Sequence, residues 1–331
     1  MSSAPVRAAM VPVTRRVRAY FAPVDRTTEQ PAIFDPGKYG AFDLASPPAP
    51  WVDLGWIDNF RRFCGTSTEA LRAGEFGAVT GQYRGPLDAR VEFDFREWGK
   101  LQMALAGGSQ HMNVLAADPS AAAQPSGGSA LAAVAVLGGS TASQVELGLG
   151  VVDSFAVGDL VAVDIDYSSQ TGYVGTGIAA AYVSSTADVN SDANYIRRVT
   201  FNVGRVASKT TTALLLGQSL LGGVPPAGSS VQKVVAFVDR EGGSFFQEWS
   251  GLFVAEEDSG GRACFYYPRL SPMVTAGTTG FQREEAVEVA KPLAVLGLRA
   301  SFVALPYVDS NDGATVLCYR SYFPGAMAGV Y

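Results

Sequence analysis

Residues 89–108 constrain the fold of this chain most tightly, because strand, cap, stripe and stop signals follow one another there without a gap. From Ala89 to Asp94 the side chains alternate, with Ala89, Val91 and Phe93 on one face and Arg90, Glu92 and Asp94 on the other, the period of a half-buried strand. Asp94 then stands where a helix N-cap belongs. Phe95, Trp98, Leu101 and Leu105 follow at helical spacings of three and four until Gly107-Gly108 ends the stripe. The spacing predicts one short amphipathic helix over 94–106 that packs Trp98 against a sheet.

The remaining periodic segments rely on valine and threonine rather than on charged helix formers. The 37 glycines and 18 prolines show no fixed period. That balance predicts a mainly β chain with many turns: a β-sandwich or barrel core, one short flanking α-helix, and an additional small β-barrel-like module. With 331 residues, 47% apolar and 17% charged, there is room for one large or two ordinary globular domains.

Taken in order, residues 1–50 are cut by eight prolines into short pieces and read as an extended arm whose one strand spans at most Val13 to Ala22. Such an arm either wraps its own domain or lies on a neighbour. Residues 51–115 form the first part of the core, with the Gly- and charge-rich stretch Arg61–Gly85 as a loop. Residues 116–150 read as an Ala/Gly/Ser linker followed by a strand. A small β module is expected over 151–220, opened by the turn Val157-Gly158-Asp159 and the strand Leu160–Tyr167. Asp164 and Asp166 share one face of that strand, read as a solvent-facing edge. The second part of the core follows over 221–331. It includes a hairpin of Val231–Asp239 with Phe245–Val254, and a turn, not a calcium loop, at Asp309–Gly313.

Little in the inventory supports catalysis. His111 is the single histidine, no Gly-x-Ser-x-Gly elbow is present, and no glycine cluster lies between a strand and a helix as a phosphate or dinucleotide fingerprint requires. Cys64, Cys264 and Cys318 have unrelated spacings and read as free thiols, indicating neither a disulfide framework nor a metal site. The expectation is a protein that is not an enzyme and uses no cofactor. A net charge of −6 argues against a general nucleic-acid binder but suits a conduit along which DNA must slide without sticking. The first residues contain no secretory apolar run, and no window has the length of a membrane span, so a cytoplasm is the expected site of synthesis.

Two stretches carry a family resemblance. Trp51–Arg62 (W-V-D-L-G-W-I-D-N-F-R-R), Leu71–Gly77 (L-R-A-G-E-F-G) and Val91–Gly108 (V-E-F-D-F-R-E-W-G-K-L-Q-M-A-L-A-G-G) form the first, and Leu298–Pro324 the second. In this order they resemble the tail tube proteins of tailed bacteriophages and their domesticated relatives.

The resemblance implies a tail-tube-like core that self-assembles into rings, hexameric or trimeric, stacked into a tube through which DNA passes in a virion tail assembled in the host cytoplasm. Its partners would be further copies of itself, other tail proteins, and DNA in transit. Carried over residue by residue, 94–106 would be the flanking helix, packed through Phe95, Trp98, Leu101 and Leu105. Arg61–Gly85 would be the loop that reaches the next ring, with Arg62, Glu69, Arg72, Glu75 and Arg84 offering both signs of charge. An acidic lumen is the expected lining. The alternative is a virion binding or adaptor module that does not polymerise, at a tail tip, a baseplate or a capsid surface. A carbohydrate-active β protein is a more distant third.

Overall fold

A computed structural model of the chain describes residues 14–25, 28–40, 42–73, 77–97, 99–116, 118, 131–164, 171–172, 183–184, 201–240, 246–257, 260–273 and 298–324. In chain order the elements are β1 (Thr14–Pro23), α1 (Pro36–Tyr39), β2 (Val52–Ala73), β3 (Ala78–Phe95), α2 (Lys100–Gly107), β4 (Gln110–Leu115), β5 (Val134–Ala135), β6 (Gln144–Glu146), β7 (Leu160–Asp164), β8 (Thr171–Gly172) and β9 (Val183–Ser184). They continue with β10 (Val203–Lys209), β11 (Ala213–Leu216), β12 (Ser230–Arg240), β13 (Trp249–Glu257), β14 (Arg262–Pro272), β15 (Leu298–Ala304), β16 (Tyr307–Val308), β17 (Thr315–Val316) and β18 (Tyr319–Phe323). The chain is mainly β, as its composition predicts.

It divides into two compact units, one of Met1–Asp25, Glu29–Gly108 and Phe246–Tyr331, the other of Ser109–Phe245 with Arg26–Thr28. The inserted unit is therefore wider than the expected 151–220. The reason lies in pairing: β12 hydrogen-bonds to both β7 and β4, which draws 110–115 and 230–240 into the insert. The expected hairpin of Val231–Asp239 with Phe245–Val254 does not form for the same reason, since β13 pairs with β1 and β14 instead.

In the first unit the strand order β13-β1-β2-β3-β15-β14 returns to β13, closing a six-stranded antiparallel barrel, and β18 adds to β14 outside the ring. Within the ring, closure pairs each strand on both sides and removes sheet edges. Aromatic side chains fill the interior. Phe21 lies 5.2 Å from Phe302 and 5.8 Å from Phe253, ring centre to ring centre, while Phe93 stacks on Phe302 at 5.7 Å. Each such fully buried ring contributes about 1.5–3 kcal/mol of transfer free energy.

The outer face of β1, β13 and β14 bears a second apolar layer of Tyr20, Leu252, Val254, Cys264 and Tyr266. Residues 32–51 cover it with Phe34, Leu44 and Trp51, so this part of the arm wraps its own unit. Polar anchors fix the path. The Tyr20 hydroxyl donates to the Leu44 carbonyl (2.9 Å), the Tyr266 hydroxyl to that of Ala32 (3.0 Å), and an Arg262 nitrogen to that of Phe42 (2.7 Å).

Helix α2 is shorter than the expected 94–106. Asp94 does not cap it: β3 runs on through Phe95, and the Asp94 carboxylate accepts from Arg299 Nε at 2.9 Å and from the Asn59 amide at 2.5 Å. These cross-strand bonds hold it in the sheet. Phe95 is accordingly a barrel residue, 4.9 Å from Phe93. Leu101 and Leu105 are buried on α2 as expected, Gly108 ends the helix in the left-handed conformation, and Trp98 lies outside the described residues.

The second unit is organised round a sheet of order β4-β12-β7-β10-β11-β6, with β5 on β12. The Leu137 N–H donates to the Glu146 carbonyl at 2.7 Å, so the β5 segment meets β6 and the sheet curls almost into a small barrel. Val145, Leu147, Phe155, Val161, Val163, Val206, Leu214, Leu216 and Val231 fill it. Asp164 is fully buried, not solvent-facing, and accepts from the Asn202 amide at 2.8 Å. Asp166 lies outside the described residues.

Candidate assembly interface

Sequence periodicity runs further along β3 than the barrel does. From Val79 to Phe95 every odd position is apolar or glycine: Val79, Gly81, Tyr83, Gly85, Leu87, Ala89, Val91, Phe93, Phe95. The last four are buried in the barrel. The first five belong to a part of β3 that pairs only with β2, because β15 joins β3 only over Arg90–Phe95 and β1 joins β2 only over Val52–Ile57. Beyond that point β2 and β3 form a two-stranded ribbon. Leu87 continues the lining face, the register shift between Thr66 and Thr68 turns Tyr83 and Leu71 to the other face, and the large apolar side chains on the ribbon are exposed. Leu71 is 60% exposed, Val79 50%, Tyr83 62% and Leu87 53%.

Arg61–Gly85 is thus a β-ribbon rather than the expected loop. Its registry is Thr66↔Leu87, Thr68↔Arg84, Glu69↔Tyr83, Ala70↔Gln82, Leu71↔Gly81 and Arg72↔Val79, with register shifts between Thr66 and Thr68 and between Leu71 and Arg72. Pro86, which has no N–H to donate, is tolerated because the outer edge of β3 is free there. Side chains fasten the ribbon to itself: Thr66 Oγ1 donates to the Gly85 carbonyl at 2.6 Å and Thr80 Oγ1 to that of Leu71 at 3.2 Å. An isolated two-stranded hairpin is marginal in water, and its two free edges can template pairing with another chain.

The five charged residues expected on this segment separate. Glu69 and Arg72 are exposed on the ribbon, and Arg72 donates to the Gly77 carbonyl at 3.1 Å. Arg84 lies on β3 opposite Thr68, and Glu75 falls outside the described residues. Arg62 is not a ribbon charge. It turns into the mouth of the barrel, where its guanidinium lies 4.4 Å from the centre of the Phe265 ring and its Nε donates to the Tyr267 hydroxyl at 2.6 Å.

Two concavities flank Arg62. One, of about 750 Å³, lies along the ribbon base between Phe63, Cys64, Gly65 and Thr66 on β2 and Pro86, Asp88, Arg90 and Glu92 on β3. The other, of about 430 Å³, is lined by Arg16, Val17, Ile57, Asp58, Asn59, Phe60, Arg62, Ala255 and Phe265. The second draws on four strands distant along the chain, and no local pattern announces it. Among the described residues no group of three or more His, Cys, Asp or Glu could hold a metal ion, and no helix is long and apolar enough to cross a membrane. Cys64 is exposed, Cys264 buried and Cys318 half-buried, and burial pushes the Cys264 thiol up to about 12. No protein-family model matches the chain, and a search of curated proteins finds no significant match.

Proposed function

We propose that the protein is a structural subunit that self-assembles, and that the β2–β3 ribbon joins one copy to the next. The observation that carries this reading is the exposed apolar ribbon: beyond the barrel, β2 and β3 pair only with each other and leave Leu71, Val79, Tyr83 and Leu87 bare. A chain that leaves four large apolar side chains exposed on a marginal hairpin has a use for that hairpin as an interface. Closed cyclic association is the economical way to cover it in every copy.

The form of assembly implied by the resemblance of Trp51–Gly108 and Leu298–Pro324 is a stack of rings, the tail tube of a bacteriophage or a phage-like particle. In that setting DNA contacts the protein only in transit, and the net charge of −6 suits an acidic, low-friction lumen. The inserted unit of 109–245 favours a second reading, a virion adaptor that binds a partner without polymerising.

The two readings separate in one experiment. Tyr83→Asp combined with Leu87→Asp places charge on both faces of the ribbon without touching the barrel. Sedimentation velocity of the parent protein is expected to show large assemblies that grow with concentration, and the double variant a folded single subunit or small ring. A parent protein that stays monomeric at every concentration would favour the adaptor.

A further inference from the structure

The inserted unit bares an apolar surface of its own, where three chain segments lie side by side. The Leu220 N–H donates to the Ala142 carbonyl and the Val136 N–H to that of Ser229, both at 2.8 Å, which lays 220–229 along one side of 136–142. On the other side the Leu137 N–H donates to the Glu146 carbonyl and the Thr141 N–H to that of Gln144, both at 2.7 Å, which brings in 144–149. Each segment carries bare aliphatic side chains: Leu137, Leu221 and Val224 are exposed, and Leu149 is 79% exposed. Gly148, at φ +92°, stands between the last of these and its neighbour, since a β-carbon there would lie 3.2 Å from Leu137 Cδ1. No charged residue occurs in 137–143, 147–151 or 217–229.

An uncharged aliphatic rim fits a partner that is apolar at the centre of its contact. The same chain supplies one, since Leu71, Val79, Tyr83 and Leu87 stand bare on the β2–β3 ribbon. The dimensions match: Thr66–Ala73 runs about 25 Å at about 3.3 Å per residue, enough to cross three segments about 4.8 Å apart. We propose that the ribbon of one copy docks on this rim of the next copy's inserted unit. The inference rests on the reading of the ribbon as the assembly element and names the surface that receives it. Such a contact joins two different patches, so every copy offers one ribbon and one rim, and the contacts repeat until they close a ring or extend a filament. Ribbon-to-ribbon association would leave the rim bare in every copy. A lipid surface is the poorer match, because no Lys or Arg stands in the three segments to meet anionic headgroups.

Two full-length double variants test it. Tyr83→Asp with Leu87→Asp spoils the ribbon and leaves the rim, whereas Leu149→Asp with Leu221→Asp spoils the rim at exposed positions and leaves the ribbon. A thermal melt checks that each is folded, and Leu149→Ser with Leu221→Ser replaces the charged pair if that pair disturbs folding. In sedimentation velocity the rim variant alone should need at least about tenfold more protein than the parent to assemble. An equimolar mixture of the ribbon and rim variants should form 1:1 pairs and nothing larger, because one intact ribbon and one intact rim remain between them. A rim variant that assembles as the parent does, or a mixture that stays monomeric or grows beyond pairs, would overturn the proposal and leave the ribbon reading standing. A ribbon variant that assembles as the parent does, or a parent that is monomeric at every concentration, would overturn both. Co-sedimentation with phosphatidylcholine vesicles examines the other occupant: a parent protein that pellets with them while the rim variant does not would give the rim to a membrane and likewise overturn the proposal.

Discussion

Arg62 is held in the barrel mouth by aromatic faces and a tyrosine hydroxyl, so its contribution is packing as much as charge. Arg62→Ala removes both and should lower stability by about 2–3 kcal/mol, read from urea unfolding curves, with Arg62→Lys recovering only part of the loss. Asp159 carries a pH-dependent contribution in the second unit. Burial opposes its ionisation, but the Ala156 N–H at 2.9 Å and the Lys233 ammonium at 2.7 Å outweigh this and hold the carboxyl below the usual aspartate range. A depressed folded-state pKa stabilises above the unfolded-state value, near pH 4, and that stability is lost as pH falls through the folded-state value. Asp159→Asn should therefore cost about 1–2 kcal/mol at pH 7, and the difference in Tm from the parent should shrink steadily below about pH 5. Cys64 offers a direct reporter of its surroundings: a maleimide should label Cys64 rapidly in the dispersed subunit and leave the buried Cys264 untouched.

Among the elements, the β2–β3 ribbon has the clearest test. Thr66 and Leu87 already face each other, so replacing Ser67–Pro86 with an Asn-Gly turn shortens the ribbon without shifting its register. Such a protein should retain its near-UV circular dichroism and melt within about 1 kcal/mol of the parent, since the removed segment packs on nothing but itself, yet it should not assemble. Assemblies of normal size from it would remove the ribbon from the interface. The ribbon was partly legible in the sequence. Alternation over Ala89–Asp94 identified the end of β3, but further out Gly81, Gly85 and Pro86 and two register shifts interrupt the apolar pattern and made the segment read as a loop. The helix start was misplaced for the opposite reason, because Asp94 has the chemistry of a cap and spends it on Arg299, a residue 205 positions away. Phe95, spaced like a helix residue, is claimed by the barrel. Within the inserted unit, the strand that opens at Leu160 was legible, whereas the burial of Asp164 depends on Asn202, which no local pattern announces.

For the whole molecule, the mainly β character and the presence of a second small barrel-like module followed from composition and turn spacing. The limits of that module did not, because strand pairing between β4 and β12 is a long-range choice. The cavity beside Arg62 was likewise invisible, since it exists only once β1, β2, β13 and β14 have closed into a ring. The central claim is that the exposed apolar ribbon is an assembly element, and negative-stain electron microscopy of the purified protein across a concentration series tests it most directly. Rings at low concentration, lengthening into hollow striated filaments as it rises, are the predicted result; uniform single particles the size of one subunit throughout the series would contradict it.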